Sequence, residues 1–205
     1  MSTSGSDDRP FYAGDYRNAL PLGNRLARAA WGIIYATCFR LSPTPFFGWR
    51  RLLLRLFGAV VAPSAKVYPT TRVWAPWNLV MEPGSCLGPE VYCYNVAAVH
   101  LGIDSTVSFR AFLCSASHDI RHPERPLITG PIRLERGAYV FADAFIGMNV
   151  TLEEGAVVAA RAVVVKDVAS HNVVGGNPAR VIAFRNRFAA GQDSIQTDHA
   201  GSEPL

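Results

Sequence analysis

Residues 132–168 read IRLERGAYVFADAFIGMNVTLEEGAVVAARAVVVKDV. Within them Leu134, Val140, Ile146, Leu152, Val158 and Val164 recur at every sixth position, and Ala138, Ala144, Val150, Ala156 and Ala162 each stand four places after one of these. An amphipathic helix would repeat near 3.6 residues and a half-buried strand every 2. A period of six describes a coil with flat sides. A short strand turns one aliphatic side chain inward, a turn follows, and a small residue fits where the corner is tight. A single coil leaves its interior edge open, so neighbours must stack to build one continuous core.

The same beat runs upstream, with interruptions. Val61, Val67 and Val73 open it, and after a two-residue slip it resumes at Met81, Leu87, Cys93 and Val99, with Ser85, Val91 and Ala97 as small partners. A second slip restarts it at Leu101, Val107 and Leu113, with Ser105, Ala111 and Ser117. The expected fold is therefore all-β, a parallel β-helix over residues 61–185, preceded by a helical appendage over 1–60 and followed by a flexible tail over 186–205. In the appendage Asn24 reads as an N-cap, and Leu26, Ala30, Trp31, Ile34, Cys38 and Phe39 share one helical face. FFGWRRLLLRLFGA, residues 46–59, reads as a second helix broken off by Gly58. Its apolar residues nearly encircle it, which suits packing on the first coil or on another subunit at least as well as lying on a membrane. AAGQDSIQTDHAGSEPL from Ala189 is polar and aperiodic.

With 205 residues, 49% of them apolar, the chain has ample material for a packed core. Its longest apolar stretch, near Ala29–Phe39, falls far short of the roughly 18 residues of a membrane span, and MSTSGSDDRP lacks the pattern of a secretory signal. Four cysteines (Cys38, Cys86, Cys93, Cys114) form no CxxC pair, as expected of reduced, mostly buried thiols in a cytoplasmic protein. The net charge of +4 is uneven: residues 1–60 hold eight arginines against Asp7, Asp8 and Asp15. Arginines on a solvated helix face are the common cause, and an anionic ligand or peripheral contact with the inner face of a membrane is the alternative. No nucleic-acid partner is expected.

LCSASHDIRHPERPLITGP, residues 113–131, breaks the beat with two histidines and three prolines. Pro123 and Pro126 keep such a segment out of the coil, so a loop over about 118–131 is expected to project.

The stretch IRLERGAYVFADAFIGMNVTLEEGAVVAARAVVVKDVASHNVVGGNPARVI, with PWNL at Pro76–Leu79, resembles the hexapeptide-repeat acetyltransferases, and most of all the colanic-acid and exopolysaccharide biosynthesis O-acetyltransferases. The resemblance implies a left-handed β-helix, a homotrimer, acetyl-CoA as co-substrate with no metal, and a sugar or polysaccharide-precursor hydroxyl as acceptor. It implies that His118, in its Ser-His-Asp setting, is the general base, which suits an imidazole because it can accept a proton near neutral pH. Asn95, Asp119 and His122 become candidates for acceptor binding, and Ala142, Ala160, Lys166 and Arg180 for CoA. The pattern departs from the family at Phe141, where glycine is usual, and at Ala183, where some relatives carry a basic residue. Cys114 as an acyl carrier is set aside, because an inner-coil cysteine is ordinarily core and the family transfers directly.

Two other classes stay open. His100, His118 and His122 could supply the three ligands of a zinc-dependent carbonic anhydrase-like β-helix. A β-helix could also serve as a non-catalytic scaffold.

Overall fold

In the computed structural model, which describes residues 21–185 and the backbone of 195 and 196, every aliphatic residue that opens a hexad turns into the interior of a three-faced parallel β-solenoid. The first face stacks Val60–Val61, Leu79–Met81, Val99–Leu101, Ile132–Leu134 and Val150–Leu152. The second stacks Lys66–Val67, Cys86–Leu87, Thr106–Val107, Tyr139–Val140, Val157–Val158 and Asn172–Gly175 in parallel. The third stacks Arg72–Val73, Tyr92–Tyr94, Phe112–Cys114, Phe145–Ile146 and Val163–Val164. Two-residue strands have no stability alone. Here each bonds to the coils above and below, and columns such as Val67, Leu87, Val107, Val140 and Val158 stack inside in strict register. Arg180–Arg185 then folds back antiparallel on Asn172–Gly175.

Register shows where the coils differ in length. Val61 pairs with Met81 and Leu101 with Leu134, whereas Leu134 pairs with Leu152. All the extra residues lie at one corner, between the third and first faces: two between Val73 and Met81, two between Cys93 and Leu101, and the histidine loop between Leu113 and Leu134. Val99 is therefore not a hexad opener but the first residue of a longer strand in which Val99 and Leu101 both point inward. The small corner residues at this edge are Ala75, Asn95 and Ser115, all fully buried, in place of the expected Ala97 and Ser117.

The open N-terminal end of a solenoid leaves strand carbonyls without partners, an edge that must be covered. Two helices do so: α1, Leu22–Ile34, continued by a wider π turn over Tyr35–Phe39, and α2, Phe47–Leu56. Side-chain donors of these helices reach the first coil one carbonyl at a time. Arg55 Nε donates to Val61 O (2.9 Å), Arg51 Nη1 to Ala65 O (3.0 Å), Arg50 Nε to Val67 O (2.6 Å) and Trp31 Nε1 to Val73 O (2.7 Å). Arg50 is completely buried, and its other donors satisfy Ser42 Oγ and the carbonyls of Pro43 and Thr44. Desolvation, and then the neighbouring Arg51 charge, pull its pKa below the usual guanidinium value. These arginines are thus a cap on the coil rather than a solvated face.

Several details of the appendage differ from expectation. α1 starts at Leu22 with Pro21 as its N-cap, and Asn24 Oδ1 instead accepts from Arg28 Nε at 3.1 Å one turn on. Proline suits that position because it lacks the N–H a helix start would leave unpaired. Leu26 and Ala30 are exposed, and only Trp31 and Phe39 of the expected face are buried. α2 ends as expected near Gly58, which takes φ +87. The expected flexible tail lies outside the described residues except for Ile195–Gln196, which pairs with Phe184–Arg185.

Candidate active site

The corner that gains residues is built as a polar ladder. The Asn95 amide brackets one backbone unit of the coil below: Ala75 N donates to its Oδ1 (2.9 Å) and its Nδ2 donates to Ala75 O (2.6 Å). Asn78 Nδ2 in turn donates to the carbonyls of Asn95 and Val96. One coil up, Ser115 Oγ donates to Tyr94 O (2.9 Å) and accepts from Ala97 N (3.0 Å). A buried amide and hydroxyl are tolerable only when paired in this way. Asn95, expected to meet the acceptor, is wholly buried and spends its amide on the coil.

From this ladder the chain departs as an arm. Ala116–His118 pairs antiparallel with Leu127–Thr129, and Gly130 N returns to Ser115 O at 2.9 Å. The segment expected to be a structureless loop from about 118 thus begins two residues earlier as a hairpin. Leu127, Ile128 and Thr129 supply the partner strand. Gly130 leaves room at the return for the Asn149 side chain, since a Cβ there would fall 2.0 Å from Asn149 Oδ1 and force that side chain to move.

His118 ends the outgoing strand with an exposed side chain. Its Nδ1 lies 2.7 Å from the carbonyl oxygen of Arg125. A carbonyl only accepts, so Nδ1 carries the proton and Nε2 is left with its lone pair outward. The arm's tip is tied internally: Asp119 N donates to Pro126 O, His122 N to Asp119 O, and Arg125 N to His122 O. Asp119 Oδ1 accepts from the backbone N and the Nε of Arg121, and His122 Nδ1 accepts from Glu124 N at 3.2 Å. Asp119 and His122 therefore shape the tip and make no bond to the His118 ring.

The expected CoA residues occupy two corners of later coils. Ala142 and Ala160 stand one above the other at the corner before the third face, linked by Arg161 N donating to Ala142 O (2.9 Å). Lys166 is exposed on the arm's own corner, beyond the third face, and Arg180 is exposed where the chain turns back. Phe141 is exposed beside Ala142, and Ala183 is buried in the closing hairpin.

Cys114 is not an inner-coil residue. Leu113 points inward, while Cys114 is half-buried on the outside, its Sγ 3.2 Å from Ala116 O. Cys93 is the interior thiol, and burial pushes its pKa up to about 12. All four cysteines are unpaired with one another. Of the three histidines weighed as zinc ligands, His100 lies on the outer side of the first face with Nε2 2.8 Å from Glu82 Oε1, while His118 and His122 are on the arm. Among the described residues no three His, Cys, Asp or Glu side chains gather as a metal site would need. Also among the described residues, no helix is long and apolar enough to cross a membrane.

What sequence reasoning missed here is the arm's foundation: Ala75, Asn78, Ser115 and the Arg125 carbonyl. The signal was available in the slips, since all extra residues fall between a third-face and a first-face hexad.

No protein-family model matches the chain. WcaF of Escherichia coli (strain K12), whose name assigns it to acetyl transfer in colanic acid biosynthesis, is 32% identical over 163 residues, covering 80% of this chain and 90% of that protein. A maltose O-acetyltransferase from Clostridium difficile 630 superposes with a TM-score of 0.72 at 18% identity, over 79% of this chain and 88% of its own. The hexapeptide-repeat acetyltransferase VCA0836 of Vibrio cholerae, solved with acetyl-CoA, superposes with a TM-score of 0.69 at 22% identity, over 83% and 93%. With the six-residue clock turned into a three-faced solenoid and a relative this similar along most of both lengths, the chain belongs to the hexapeptide-repeat acetyltransferase family.

Proposed function

We propose that the protein is an O-acetyltransferase that moves an acetyl group from acetyl-CoA to a hydroxyl of a sugar or exopolysaccharide precursor, working as a cytoplasmic homotrimer of left-handed solenoids. The observation that carries this reading is the His118 ring. With Nδ1–H held by the Arg125 carbonyl, the other nitrogen is presented as a base at the end of a braced arm. A sugar hydroxyl keeps its proton far above neutral pH and needs such a base. His118 Nε2 takes that proton as the oxygen attacks the thioester carbonyl. It then returns the proton to the departing CoA sulfur, so the ring ends each cycle neutral. Transfer is direct, with no acyl-cysteine. Lys166 and Arg180 suit the anionic groups of CoA by charge, and the backbone at Ala142 and Ala160 would line its slot. A sugar acceptor is supported by the name of WcaF and by those of solved maltose and galactoside acetyltransferases.

The test is acetyl-CoA consumption against a panel of sugars, with the acetylated position mapped. His118→Ala should lower kcat by about 10²- to 10⁴-fold with little change in KM for acetyl-CoA. An unchanged kcat on every sugar that the wild type acetylates would sink the reading.

A further inference from the structure

The two helices that cap the solenoid each turn one side to the first coil and leave the other side apolar. On α1, Leu22, Leu26 and Ile33 recur at helical spacing and are 66%, 63% and 66% exposed. On α2, Arg50, Leu53 and Leu54 face inward, so Trp49, Leu52 and Leu56 face outward, Leu56 being 71% exposed. Between the helices Leu41, Phe46 and Trp49 line one shallow open groove. Exposed apolar side chains are thus gathered on one side of each helix rather than scattered singly.

The charges around it are of one sign. From residue 21 to residue 81 the chain has seven arginines and one lysine (Arg25, Arg28, Arg40, Arg50, Arg51, Arg55, Lys66, Arg72) and no carboxylate. Arg50, Arg51 and Arg55 bond to carbonyls, which does not neutralise their charge. Arg28 lies 4.3 Å over the Trp74 ring and is likewise matched without a counter-ion. A second copy of this chain brought to the same face would present the same cations. A bilayer with anionic headgroups complements both properties, taking the leucines and Trp49 into its interface and the exposed Arg25, Arg40 and Arg55 at its charged surface. α1 spans 13 residues, about 20 Å at 1.5 Å per residue, enough to lie in the interface and too short to cross.

We infer that the helical cap is a membrane-docking surface that seats the N-terminal end of the solenoid on an anionic lipid bilayer. Full-length protein is to be sedimented with phosphatidylcholine vesicles, with and without phosphatidylglycerol, at low and at molar salt. The expected result is binding to the anionic vesicles that salt weakens, and a loss of at least about tenfold in the Leu26→Glu/Ile33→Glu and Leu56→Glu variants. These side chains are outward and apart from the arm, so circular dichroism and acetyl transfer to a soluble sugar should match wild type. Absence of wild-type binding to anionic vesicles at low salt overturns the inference. So does equal binding with and without phosphatidylglycerol. Variants that keep vesicle binding but change the oligomeric mass would assign the face to a second copy instead.

Discussion

The carbonyl oxygen of Arg125 receives the Nδ1 proton of His118 at 2.7 Å, across the mouth of an antiparallel arm. Arg125 aims that carbonyl from a left-handed backbone, φ +43, which most side chains disfavour. The local strain has a use if the carbonyl selects the tautomer. Arg125→Gly should therefore keep kcat within a few-fold. Arg125→Pro, whose ring fixes φ near −65° and removes the N–H that Arg125 donates to His122 O, should turn the carbonyl away and lower kcat by about tenfold or more. Steady-state kinetics on the two variants check it, and equal kcat values would remove the carbonyl from the mechanism.

Asn95 should behave as a girder. Asn95→Ala leaves the N–H of Ala75 unpaired in the core, a loss of about 1–3 kcal/mol, while Ala75 O keeps the N–H of Asn78. Asn95→Asp keeps an acceptor for Ala75 N but sets a carboxylate against Ala75 O, where Nδ2 now donates at 2.6 Å. Burial would raise that carboxyl's pKa, since the protonated acid can donate where the amide did. With the folded pKa above the unfolded one, the Asp variant is most stable at low pH and loses stability as pH rises through the folded value. Melting at pH 5 and pH 8 should show the drop in Asn95→Asp and not in Asn95→Ala.

The stacking of the coils was legible because one physical demand, an inward aliphatic and a small corner, is written at a single spacing. Leu134 through Val164 show it without error. The arm corner was misread for the same reason. Ala97 and Ser117 are small, and so is Ser115, so residue size alone could not phase the ladder across an insertion. Register did, by pairing Tyr94 with Cys114 and Val99 with Ile132. The capping role of Arg50, Arg51 and Arg55 lay beyond reach for another reason. A guanidinium that bonds to carbonyls leaves no partner carboxylate in the sequence to point to it.

That cap should decide where unfolding starts. In a solenoid each coil leans on its neighbours, so loss of the cap is felt first in the coil beneath. Arg50→Met keeps bulk and strands the carbonyls of Val67 and Thr44, while Pro43 O keeps the N–H of Phe46, a loss of about 2–6 kcal/mol at about 1–3 per stranded group. Hydrogen exchange should quicken at Lys66, Tyr68, Arg72 and Trp74, whose N–H groups donate to the second coil, while the amides of Val140 and Val158 stay protected. Uniform loss along the whole solenoid would mean that Arg50 supports global packing rather than the end coil.

Cys93 offers a readout of the interior itself. Its thiol lies in the column between Val73 and Leu113, and burial raises its pKa from 9.0 to about 12. A thiolate is the reactive form, so near neutral pH Cys93 should resist a thiol reagent until the solenoid opens. Cys86 is slowed in the same sense, since burial outweighs the opposing Lys66 charge. The linkage has a definite sign: the folded state holds this proton more tightly than the unfolded chain, so stability is full below about pH 9 and falls as pH rises toward 12. Reagent titration in native buffer should leave Cys93 unmodified by mass spectrometry, and Cys93→Ala should flatten the alkaline decline in melting temperature. Rapid native labelling of Cys93 would show that the coils part locally at the third face.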